Sequence, residues 1–211
     1  MQCQFCKEEI LEGATKCKHC GSVIGAAAAP GDFGALFTAA LDLWKANLGD
    51  LVLLTLVFLL VVWIPIANIG FIAGYARSLL KVARGQGKAE VGDIFAAWDC
   101  FGNLFVYLLL LLLASVVLGI VPILGALASL ALGFVAMPGM YAVIDGKRGA
   151  IEAFKWSLET IQAGFVNWLL AYIVGYVIAV AGFILLFVGV ILTAPLGVMI
   201  FIQQYERARS A

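Results

Sequence analysis

Charge is scarce in this chain: 12% of its 211 residues are Asp, Glu, Lys or Arg, against about 25% in an ordinary soluble domain. Hydrocarbon takes its place. Apolar residues make up 64% of the sequence and the mean hydropathy is +1.07, a composition that excludes a water-soluble globule and assigns the chain to the membrane proteins. Neither sign is in excess, with 13 Lys and Arg against 13 Asp and Glu. That removes the electrostatic grip on phosphates that a nucleic-acid partner would require. Histidine is nearly missing too, His19 being the single copy. No Ser/His/Asp set, carboxylate pair or glycine-rich phosphate loop is recognisable, so no catalytic residues and no enzyme activity are expected. Residues 1–30 are Cys-rich and charged, without the apolar stretch of a signal peptide.

The absences have a pattern. Residues 51–76, 100–144 and 160–205 contain no charged side chain, giving runs of 26, 45 and 46 residues. One helix needs about 20 residues to cross a bilayer core about 30 Å thick, so each of the longer runs fits two spans and a tight turn. The first run does so only if its second helix continues through Arg77, Lys81 and Arg84. The expectation is an all-α integral membrane protein with six transmembrane helices as three hairpins. Turn residues mark the tips at 65–70, at 122–125 and between Gly182 and Gly189.

Every Lys and Arg falls in the N-terminal segment, in 77–88, in 147–155 or at the C-terminal end. Basic residues in short loops stay in the cytoplasm, which predicts an inner (plasma) membrane protein with both termini inside. Gly34–Asp50, Val91–Asn103 and Ala150–Asn167 mix aromatic, apolar and charged residues before each pair of spans, as amphipathic interfacial helices do. The body, residues 34–211, then parses into approximate repeats 34–90, 91–149 and 150–211, with Pro138 and Pro195 at equivalent late positions. Gly70 and Gly74, the series Gly125, Ser129 and Gly133, and the series Ala171, Gly175 and Ala179 put small residues on single helix faces, suited to close packing or to pairing with a second copy of the chain.

Cys3, Cys6, Cys17 and Cys20 form two C-x2-C knuckles ten residues apart. Two such knuckles supply the four thiolates of a tetrahedral structural Zn²⁺ site. About 24 residues bury too little apolar area to fold alone, so one bound zinc would supply the folding free energy of a ribbon over 1–25. A rubredoxin-like iron site and a redox dithiol are the alternatives; a cytoplasmic setting disfavours disulfides. His19 is expected to face solvent, and Cys100 to be a packed thiol. Residues 26–33, rich in Ala with Pro30 and Gly31, read as a flexible linker.

Arg77, Lys81 and Arg84 share one helix face at i, i+4 and i+7. Snorkelling to the headgroups is the plain expectation for Arg77. The alternative is a specific contact, with an anionic lipid or with an interhelical carboxylate.

The stretch Gly74-Tyr75-Ala-Arg77 through Val82-Ala-Arg84-Gly85, then Asp93-Ile-Phe95, Trp98-Asp99 and Asn103-Leu-Phe105, resembles the family known as domain of unknown function 4013. Its members are prokaryotic multi-pass membrane proteins with no established activity. Val91-Gly92 stands where that family often has Pro. Ala153-Phe154-Lys155, Ser157 and Pro195 are similar to a wider set of bacterial integral membrane proteins, and Cys3 to Cys20 resembles the short zinc ribbons that bacteria fuse ahead of membrane segments. The expected function is a helical membrane scaffold or lipid-interacting body whose ribbon docks a protein partner. A transporter or channel for an uncharged or amphipathic, lipid-like substrate is the alternative, although the spans lack the buried ionisable groups that ion coupling needs. A thiol-redox sensor is a third reading.

Overall fold

The computed structural model describes residues 32–120, 122–146, 148–184 and 188–210. Cys3, Cys6, Cys17, Cys20 and the ribbon they would build lie outside the described residues, as does most of the linker. Among the described residues the chain is helical, without a strand. The helices are α1 (Phe33–Ala46), α2 (Leu48–Val61), α3 (Ala67–Ala83), α4 (Phe101–Leu118), α5 (Pro122–Gly146), α6 (Ala150–Ala163), α7 (Phe165–Ile184) and α8 (Val188–Ser210), with 3₁₀ turns at Val91–Phe95 and Trp98–Cys100. In hydrocarbon no water satisfies the backbone, and a helix closes its own hydrogen bonds. The leucine-rich runs take this form, which suits them to such a setting.

Three helices are long and apolar enough to cross a membrane: α4 with the turns before it, α5 from Gly125, and α7. No more than 39% of any of these windows is buried within the protein. Side chains such as Val117, Ile120 and Ile184 stand 65%, 77% and 82% exposed, as lipid-facing residues would. The six expected spans are therefore not all met by single straight helices. α2 has 14 residues and α3 has 17, short of the roughly 20 a crossing needs. α8 has 23 but ends in Gln203, Gln204, Glu206, Arg207 and Arg209. A fourth crossing arises if α1 and α2, bent by 86° at Asn47, count as one broken span.

The expected interfacial helices fare differently from one another. α6 forms as a helix, with Ala153, Ser157 and Ile161 turned inward. α1 forms as a helix too, with Leu36 and Ala40 buried and Thr38, Asp42 and Lys45 exposed. It packs along α8, tied near one end by Arg207, which donates to the Asp32 carbonyl at 3.0 Å, and near the other by Trp44, whose Nε1 donates to the Leu192 carbonyl at 2.9 Å. Val91–Asn103 is not one amphipathic helix but two 3₁₀ turns leading into α4. Tertiary contact explains this: the carbonyls of Asp93 and Ile94 rest directly on Gly74, and the Trp98 ring rests on Gly70.

The first tip closes tightly at Ile66. Ile66 has φ 66° and ψ −51°, with Ala67 N–H donating to the Pro65 carbonyl at 2.7 Å. This is a strained γ-turn, rare for a β-branched residue. Pro122 opens α5, where its missing N–H needs no partner. α7 and α8 meet through Gly175 and Gly197, whose small faces let the two backbones approach closely.

Candidate functional site

Pro138 interrupts α5, and a proline ring inside a helix leaves the ladder around it incomplete. Gly139 N–H would normally bond the Val135 carbonyl four residues back. Ser157 of α6 reaches both groups: Gly139 N donates to Ser157 Oγ at 3.0 Å, and Ser157 Oγ donates to the Val135 carbonyl. Tyr107 of α4 donates to the neighbouring Ala136 carbonyl at 2.6 Å. A second deep polar pair, Thr55 on α2 and Tyr75 on α3, lies 2.9 Å apart. These hydroxyls are fully partnered, and they hold α4, α5 and α6, and α2 and α3, in fixed register.

The densest chemistry lies where α3, α5 and α8 end. Arg84, just past the end of α3, makes a two-pronged contact with Asp145 of α5, both prongs 2.7 Å, and reaches Glu206 of α8 at 2.5 Å through Nη2 and 3.0 Å through Nε. Arg209 lies 3.1 Å from Glu206 and 3.5 Å from Asp145. Tyr205 donates to Asp145 at 3.0 Å, its ring lodged between Tyr141 and Trp156. The Asp145 hydrogen bonds above all, with those of Glu206, raise the Arg84 guanidinium above its ordinary range, so it stays charged against the penalty of burial.

Two further pairs run along α3. Lys81 Nζ lies 2.6 Å from Asp93, and the same carboxylate accepts from Ser78 Oγ at 2.6 Å and from the Glu90 N–H at 3.2 Å. Arg77 forms a forked pair with Asp99 and donates through Nε to the Ile144 carbonyl at 2.9 Å. The snorkelling expected of Arg77 is thus not what the structure adopts. Its guanidinium bridges the turn before α4 to the end of α5.

Arg77, Lys81 and Arg84 each face carboxylates of the chain itself. Four cations, Arg77, Lys81, Arg84 and Arg209, meet five carboxylates, Glu90, Asp93, Asp99, Asp145 and Glu206. No positive excess is left there for an anion. Among the described residues no group of three or more His, Cys, Asp or Glu side chains is placed to hold a metal ion. Chemically the arrangement is a clamp. The residues missed from sequence are its acidic half, and a signal for them exists: Arg77, Asp145 and Glu206 are the first charges after the three uncharged runs.

Arg77→Lys tests the clamp. Lysine keeps the charge but lacks the planar fork and the Nε donor to Ile144. With Asp99 37% exposed on its side chain, the expected loss is modest, about 1–2 kcal/mol, read as a lower melting temperature in detergent. An unchanged melting temperature would restore the snorkelling reading.

No protein-family model, curated protein or solved structure matches this chain.

Proposed function

We propose that the chain is a non-enzymatic inner-membrane scaffold whose helical body anchors a cytoplasmic zinc ribbon, and that the ribbon docks a protein partner. The observation that carries this reading is the closed clamp: the charges at the ends of α3, α5 and α8 are consumed in holding helices together. Such an arrangement supports a rigid anchor more than a moving, ion-coupled carrier. In this reading α2 with α3, α4 with α5 and α7 with α8 are three hairpins, six crossings in all, with α2 and α3 meeting a locally thinned or tilted membrane. The gathering of Arg84, Lys81, Arg207 and Arg209 at the same helix ends supports a cytoplasmic face there. The resemblance over residues 74–105 enters as a layout and supplies no activity.

The ribbon holds one Zn²⁺ through Cys3, Cys6, Cys17 and Cys20. A closed four-thiolate site has no open position, so its role is structural. Purified protein is expected to contain about one zinc per chain. Cys17→Ser should release it, leave the melting of the helical body unchanged, and abolish recovery of the partner from native membranes. Absence of zinc, or a partner retained equally by Cys17→Ser, would overturn the reading. Transport of a lipid-like substrate is the second reading, favoured by an apolar cleft between α4, α5 and α6. A lipid flux that survives loss of the zinc would support it.

A further inference from the structure

The cleft has a chemistry of its own. It encloses about 290 Å³ and is lined by Leu110, Leu111 and Ala114 of α4, Leu132 of α5, and Phe154 and Lys155 of α6. Leu110 is 46% exposed, so the cleft opens sideways, toward what would be lipid. Ligand pockets run from about 300 to 1,000 Å³. The cleft therefore has room for part of one acyl chain and little more.

Lys155 stands at its rim. The α6 helix sorts its residues by face: Ala153, Ser157 and Ile161 turn into the protein, while Glu152, Lys155 and Glu159 are exposed. Glu152 lies 3.9 Å from Arg148. Among the described residues Lys155 and Glu159 have no ion-pair partner. They are one helical turn apart, neighbours on the same face. A lone ammonium above an apolar cleft matches a phosphate whose acyl chain lies below it. The carboxylate one turn away matches a cation and repels a second negative charge. A purely anionic headgroup satisfies only half of this pair.

We propose that the cleft between α4, α5 and α6 binds an ethanolamine phospholipid, one acyl chain against Leu110, Ala114 and Phe154, its phosphate on Lys155 and its ammonium on Glu159. The site rests on the membrane reading above and adds to it a lipid of stated charge pattern. Arg77, Lys81 and Arg84 take no part, because their carboxylate partners already occupy them.

The test is native mass spectrometry of the full chain in detergent, titrated separately with dioleoyl phosphatidylethanolamine and dioleoyl phosphatidylglycerol. The wild type should retain the ethanolamine lipid about fivefold more strongly, the scale of one exposed charge contact. Lys155→Gln, an exposed substitution that leaves the packing intact, should lower retention of both lipids because each carries the phosphate, and Glu159→Gln should remove the ethanolamine margin by raising glycerol-lipid retention. Ala114→Phe fills the cleft and should reduce both lipids. Equal retention of the two lipids by the wild type, or ethanolamine-lipid retention unaffected by Lys155→Gln, would overturn the site. Carbonate washing of membranes separates the two levels: a chain released by the wash overturns the membrane reading itself, whereas an integral chain without lipid preference overturns only this site.

Discussion

Arg84→Met is expected to destabilise the helical body by about 3–5 kcal/mol, the usual cost of removing one partner from a buried ion pair. The side chains of Arg84, Asp145 and Glu206 are 16%, 13% and 22% exposed. With the guanidinium gone, two carboxylates face one another beside an apolar interior, and Arg209, 48% exposed on its side chain, screens them poorly. Thermal unfolding in detergent, followed by loss of the monodisperse species, measures the effect. Adding Asp145→Asn and Glu206→Gln to Arg84→Met should recover most of the loss, because the penalty lies in the uncompensated charges rather than in the missing contact. Arg84→Met melting like the wild type would show that the clamp does not hold these helix ends together.

Gly74→Ala should have nearly as large an effect from a single methyl group, about 2–3 kcal/mol, within the range of overpacking. A Cβ at position 74 would collide with the carbonyl oxygens of Asp93 and Ile94. Neither side gives way easily. Phe71 and Tyr75 pin α3 among buried neighbours, and the opposing turn is held by Lys81 and Ser78 through the Asp93 carboxylate. The turn would have to lift, drawing Trp98 off Phe71, whose rings now lie 5.8 Å apart edge to face. A tryptophan fluorescence shift should accompany the lower melting temperature. Gly49→Ala in α2 is the control, since a Cβ there meets nothing within 4 Å, and helix propensity should raise stability by up to about 1 kcal/mol. If Gly74→Ala behaved like Gly49→Ala, the close approach of turn and helix would be refuted.

The proline at 138 illustrates why part of this structure escaped a reading of the residues in order. Pro138 announces an incomplete helix wherever it stands, but the repair comes from Ser157 and Tyr107. Ser157 lies 18 residues from Gly139, on a different helix. Nothing in the spacing of a serine distinguishes one that completes a broken ladder from one that faces water. Gly70 and Gly74 were legible as a small-residue face, yet their neighbours are a tryptophan ring and two carbonyls of a 3₁₀ turn, not another membrane helix. Aromatic and charged residues at 91–103 suggested an amphipathic helix by composition. The turn broke that pattern because Asp93 closes it locally on Glu90 and reaches Lys81 and Ser78 at the same time.

The helical, apolar character of the body was legible in the sequence alone, because its uncharged runs are long enough for helices of membrane-crossing length, and a helix satisfies its own backbone hydrogen bonds wherever it lies. The alignment of Arg77, Lys81 and Arg84 on one face was equally a property of the sequence, since the helical period fixes it locally. What those cations do was decided only by the tertiary structure. Arg84 is 61 residues from Asp145 and 122 from Glu206, so an outward, snorkelling side chain and an inward, clamping one are equally compatible with the order of residues. Burial against two approaching helix ends makes the difference: once α5 and α8 end beside α3, a cation there is paired with the nearest carboxylates or left desolvated and alone, and the fold supplies the carboxylates.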